Sequence, residues 1–126
     1  MISQKRSYST LPASDMDRAK RWYEEKLGLK PVSESEVGAV YELGGGTGFL
    51  LYPTPNAGKA PNTMMLLETD DVAGDVAALK AQGVVFQDFE MGDFKTVDSI
   101  AAIGSKSGAW FTDSEGNILS LGSDPH

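Results

Sequence analysis

Leu11-Pro12-Ala13-Ser14-Asp15-Met16-Asp17-Arg18-Ala19, continued by Trp22-Tyr23 and closed by Leu27-Gly28-Leu29, is the stretch on which the fold turns. Ser14 and Asp17 make a Ser-x-x-Asp helix start. The hydroxyl accepts from free N–H groups of the first turn, and the acids suit the positive end of the dipole. Met16, Ala19, Trp22, Tyr23 and Leu27 then recur at helical spacing. Gly28 stands where a helix commonly stops in a left-handed cap. The plan returns between Leu67 and Gly83. Asp70-Asp71 opens a second helix, Val72, Val76 and Leu79 form its apolar stripe, and Gly83 closes it. Asp71 stands in the place of Asp15.

The flanking segments repeat as well. A strand from Arg6 to Leu11 is expected before the first helix, and one from Thr63 to Glu68 before the second. Gly38-Ala39-Val40-Tyr41 parallels Gly108-Ala109-Trp110-Phe111. A turn follows each, Gly44-Gly45-Gly46-Thr47-Gly48 in one and Ser114-Glu115-Gly116-Asn117 in the other. Strands Phe49–Tyr52 and Ile118–Leu121 come next, and Gly and Asn supply the positive φ that such hairpins need. Gly44–Gly48 is not a phosphate loop, because it lacks the Lys-Ser/Thr and the helix that must follow. The chain thus divides into two like modules, about 5–55 and 62–123, joined by a Pro- and Gly-rich linker at 53–62. Asp88 to Lys106 is the least regular part, and one strand, about Val97 to Ala102, is expected there between mobile loops.

Composition bounds the function. The 126 residues suffice for one domain, with 40% hydrophobic and 23% charged residues. A net charge of −7 argues against nucleic acid or an anionic membrane as partner and tolerates a cationic one. No cysteine is present, which removes disulfides, Cys-zinc sites, iron–sulfur clusters and thiol catalysis. The single histidine, His126, is the last residue, where chains are usually mobile. A pocket histidine, a Ser/His/Asp triad and a two-His-one-carboxylate iron site are therefore excluded. Without a signal peptide or a membrane-length apolar run, a cytoplasmic protein is expected.

Two βαβββ units built on these words resemble the vicinal oxygen chelate superfamily, which includes glyoxalase I, extradiol dioxygenases, and fosfomycin-resistance and bleomycin-binding proteins. Residues 11–29 carry the resemblance, and so does Phe111-Thr112-Asp113-Ser114-Glu115-Gly116-Asn117-Ile118-Leu119, where the family often has an aromatic, Asp-Pro-x-Gly-Asn and an aliphatic strand. The resemblance implies an α+β fold in which each module's strands curl into half a barrel around one pocket. In the family's enzymes, four inward side chains, typically His, Glu or Gln, hold a metal. Those positions fall here on Tyr8, Leu51, Met64 and Ser120, or with a one-residue slip on Ser7, Leu50 and Thr63. A hard or borderline divalent ion wants imidazole or anionic oxygen. No metal and no cofactor are expected at these positions.

Metal-free relatives of this kind resemble drug-sequestering proteins, which bind cationic, flat, aromatic ligands as homodimers. The expectation is a small organic ligand, cationic and aromatic in character, in a pocket lined by Tyr8, Tyr41, Leu51, Met64, Trp110 and Ser120. Glu90, Asp93 and Asp98 fall in a loop that can overhang it, whereas Trp22 and Tyr23 read as core. Two alternatives remain. One is an enzyme, either lactoylglutathione lyase-like or dioxygenase-like with an atypical site, or metal-free and using Glu42, Glu68 or Tyr8. The other is a non-catalytic interaction module.

Overall fold

In the computed structural model, which describes residues 1–126, helix α1 spans Met16–Leu27 and is capped by Asp15. The Asp15 carboxylate accepts from the Arg18 N–H at 3.0 Å. Ser14 is freed for a bond elsewhere. Gly28 ends the helix in the left-handed region (φ 69°, ψ 26°), as a residue without Cβ does readily. Helix α2, Val72–Ala81, repeats the device, with Asp71 accepting from the Gly74 N–H at 3.0 Å. Neither helix is long and apolar enough to cross a membrane.

Each helix connects two parallel strands of its own sheet, the crossover that parallel pairing demands. The first sheet holds β1 (Ser9–Ala13), β2 (Ser33–Glu34), β3 (Ala39–Glu42) and β4 (Gly48–Pro53), in the order β1-β4-β3-β2. The second holds β5 (Thr63–Glu68), β6 (Glu90–Met91), β7 (Phe94–Val97), β8 (Ile100–Ile103), β9 (Lys106–Thr112) and β10 (Ile118–Gly122), in the order β5-β10-β9-β8-β7-β6. β1 runs parallel to β4 and β5 to β10, and the remaining pairs are antiparallel. The result is α+β, with two mixed, unclosed sheets and one helix belonging to each.

The segment 88–106 departs from expectation. Where one strand was expected, β7 and β8 form a hairpin closed by Asp98 and Ser99, both at positive φ (51° and 72°). No glycine marks this turn. The Asp88 carboxylate stabilises it instead, accepting from the Ser99 N–H at 2.9 Å and the Thr96 hydroxyl at 3.0 Å.

Strand alternation sets the core. Leu11, Leu51 and Ala39 are cross-strand neighbours on the α1 side, and Tyr41 pairs with Phe49 there. Tyr41 and Phe49 stack at 4.5 Å between centroids, with the Tyr23 ring of α1 at 5.8 and 5.3 Å. Phe111, Leu119 and Met65, with Ala109, Leu121 and Leu67, form the matching rows in the second sheet. This corrects two pocket assignments. Tyr41 and Leu51 are wholly buried on the helix side, where Leu51 faces the same way as Leu11; Leu50 takes the opposite face. The Tyr41 hydroxyl has no hydrogen-bond partner, and burial pushes its pKa up to about 12.

Candidate functional site

The two sheets meet along their edge strands β1 and β5. Turn 113–117 crosses this seam. The buried Glu115 carboxylate accepts from the N–H groups of Ser14 and Asp15, both at 3.0 Å, and from Arg18 Nε at 2.8 Å and Nη2 at 3.1 Å. The hydroxyls of Ser14 and Ser114 add bonds of 3.2 and 2.9 Å. Burial alone would raise the Glu115 pKa, but the donors, Arg18 foremost, outweigh it and hold the group at about 2. Asp113 accepts from the N–H groups of Glu115 and Asn117 and, at 2.6 Å, from the Tyr23 hydroxyl. The Asn117 amide donates to the Pro12 carbonyl at 2.8 Å. Burial and the adjacent Asp113 push the Tyr23 pKa well above its usual range. Every acid here is saturated with donors from the fold itself, so this cluster joins the halves and offers nothing to a substrate.

Turn 43–47 is the counterpart in the first module. Leu43 N–H donates to Thr47 O at 2.9 Å, just as Asp113 N–H donates to Asn117 O at 3.0 Å. Gly44, Gly45 and Gly46 carry no side chain across the seam. A groove of about 800 Å3 opens here. Its walls are Ser7, Ser9, Leu43 to Gly45, Thr47 and Gly48, Met65 to Glu68, and Pro125. Glu68 is the one charged residue among them, and it makes no salt bridge.

Leu66 in the groove wall also belongs to the sheet face turned away from α2. Leu66, Ser120 and Trp110 are successive cross-strand neighbours on that face. Two strand spacings place Trp110 about 10 Å from Leu66. The indole packs edge-on to Phe89 and Phe94, at 5.4 and 5.8 Å, and donates to the Thr63 hydroxyl at 3.2 Å.

The six sequence-derived pocket residues therefore separate. Tyr41 and Leu51 are core. Tyr8 is 37% exposed at the groove's margin, beside Gly48 and beneath the Arg6 guanidinium. Met64 packs against the core, Ser120 is buried between its cross-strand neighbours, and Trp110 belongs to the aromatic trio. No aromatic ring lines the groove, because the rings expected there went under α1 or onto Trp110's end of the sheet. Glu90, Asp93 and Asp98 are exposed around the 88–99 hairpin. The groove's walls come largely from residues that the sequence reading did not nominate. Their signal was faint: three glycines where the other turn has Ser-Glu-Gly.

Tyr8, Leu51, Met64 and Ser120 supply a phenol, no donor, a thioether and a hydroxyl, which do not fit a divalent ion. A donor cluster forms elsewhere. Ligand atoms of Glu68, Asp124 and His126 lie within 4.8 Å of one another. His126, set aside as a mobile end, is held with its Nδ1 2.7 Å from Asp124.

A family model described as the Glyoxalase/Bleomycin resistance protein/Dioxygenase superfamily matches residues 6–121. No curated protein matches the chain. Among solved structures, UcmS2 is 20% identical with a TM-score of 0.74, covering 95% of this chain and 98% of its own. The oxidase ChaP-H2 is 18% identical with a TM-score of 0.68, over 97% and 94%. TnmS3, an antibiotic binding protein from Streptomyces sp. CB03234, is 23% identical with a TM-score of 0.60, over 95% and 97%. Such likeness establishes the fold, and one fold hosts many chemistries.

Proposed function

The chain belongs to the glyoxalase/bleomycin resistance protein/dioxygenase superfamily, and on that premise we propose that it is a small-molecule binding protein, sequestering a cationic, flat natural product in the seam groove without a metal at the family's four positions. The observation that carries this reading is the groove itself, with Glu68 in its wall free of any salt bridge. Its volume of about 800 Å3 suits a drug-sized molecule. An unpaired carboxylate attracts a cationic group, and the Trp110 trio about 10 Å beyond Leu66 offers aromatic faces to a planar one. Ser7, Ser9 and Thr47 supply hydroxyls to the wall, which can hydrogen-bond a ligand's polar groups. That TnmS3 is an antibiotic binding protein supports the same reading. The reading includes a cytoplasmic location and a homodimer, the latter supported by exposed Leu66 and Ile103, which lie on one sheet face that a second copy would cover.

The test is a thermal-shift panel of cationic planar natural products, run in chelator, with glutathione conjugates as the comparison for a lyase-like site. A ligand at a hundredfold its Kd adds about 2.7 kcal/mol, a shift of several degrees. Stabilisation by a cationic planar compound that Leu66→Trp abolishes is expected. Stabilisation by the conjugates alone, or by no member of the panel, overturns the reading.

A further inference from the structure

We propose that Glu68, Asp124 and His126 form a divalent-metal site on the rim of the groove, separate from the four positions at which the family's enzymes hold their metal. Glu68 ends β5 as the register partner of Gly122, the last residue of β10. Thr69 N–H donates to Gly122 O at 2.8 Å, so the chain leaving β10 emerges beside Glu68. Ser123 fixes that exit: its N–H donates to Ser107 O and its hydroxyl accepts from Ser107 N–H, both at 3.0 Å. The tail then turns on itself. His126 N–H donates to the Asp124 carboxylate at 2.8 Å, and the ring Nδ1 meets the same oxygen at 2.7 Å. Lys106, the basic group acting on Asp124, donates its ammonium to the His126 carbonyl at 3.1 Å, which anchors the tail and leaves the donor atoms free of it.

Two carboxylate oxygens and an imidazole nitrogen thus converge within 4.8 Å. Bonds of about 2.1 Å in a tetrahedral shell place neighbouring donors about 3.4 Å apart, a spacing that exposed side chains reach by rotation. One nitrogen and two oxygens suit a borderline ion such as Zn2+ or Co2+, and they are too few for Ca2+, which takes six or more oxygens. Three protein ligands leave a coordination position for water. Glu68 and Pro125 both line the groove, so the ion would hold the tail at its rim. Glu68 would then serve two cations, and metal should weaken the binding of a cationic ligand.

Co2+ titration followed by visible absorption, with calorimetric Zn2+ titration, tests the site on the whole chain. One equivalent per chain is expected. Glu68→Gln and His126→Ala should each lower affinity by about tenfold or more, since loss even of an outer partner costs that much. All three residues are exposed, and circular dichroism in chelator should be unchanged by either substitution. No saturable uptake, or an affinity that neither variant alters, overturns the site. So does a loss confined to His126→Ala, which reduces it to a lone surface imidazole. The groove's ligand is assayed in chelator, so its failure is read separately from this one.

Discussion

Turns 113–117 and 43–47 occupy equivalent places in the two modules and close on the same backbone bond, yet they meet the seam differently. At the first, Asp113, Glu115 and Asn117 reach Pro12, Ser14, Arg18 and Tyr23 of the other module. At the second, Leu43, Gly45 and Thr47 stand in their places. The repeat sets Glu68, Asp70, Gly74 and Leu79 where Pro12, Ser14, Arg18 and Tyr23 stood. Both partners of the Glu115–Arg18 pair have become glycine. One copy therefore closes the seam with a saturated polar network, and the other leaves a groove. A buried carboxylate is tolerable only when its acceptors are filled, so losing the pair on both sides opens space without stranding a charge.

The contrast breaks most sharply at Glu115. Glu115→Ala strands Arg18 and two backbone N–H groups, and a loss of about 3 kcal/mol or more is expected. Thermal unfolding should fall by roughly 10 °C; an unchanged melting temperature would show that the network does not hold the halves together. Acid reaches the same residue. The Glu115 pKa is depressed from 4.5 to about 2 by folding, so its contribution is whole above pH 4.5 and is lost as pH falls toward 2. About 3 kcal/mol should disappear across that window, visible in urea titrations stepped from pH 6 downward and flattened in Glu115→Gln.

Two buried tyrosines sharpen the comparison. Tyr23→Phe removes a bond that crosses the seam to Asp113 and should cost about 1–2 kcal/mol. Tyr41→Phe removes a hydroxyl with no partner and should be neutral or stabilising by up to about 1 kcal/mol. Paired urea curves settle the order; an equal loss for both would contradict it. The smallest change in stability belongs to the groove. Glu68→Gln at this exposed wall should stay within about 0.5 kcal/mol, while a cationic ligand loses its affinity in the same thermal-shift assay.

Much of the fold was legible because its signals are local. Asp71 and Gly28 announced a start and a stop, the glycine turn announced a hairpin, and the first helix start was read one residue early, the Asp15 carboxylate rather than the Ser14 hydroxyl supplying the cap. The faces of β4 were not legible. In Phe49-Leu50-Leu51-Tyr52 both alternating positions are apolar, so nothing in the run sets the phase, and a one-residue slip exchanges pocket for core. The 98–99 turn was missed because Asp88, ten residues earlier, supplies what a glycine would have done.

By itself the sequence determined the duplicated βαβββ plan and where each helix begins, since each depends on residues a few positions apart. The tertiary structure decided which apolar face the helices covered, that Glu115 meets Arg18 while Gly45 meets open space, and that His126 returns to Glu68. Those outcomes join residues about 60 to 100 positions apart. Only packing and strand register bring such groups together, and no local signal encodes them.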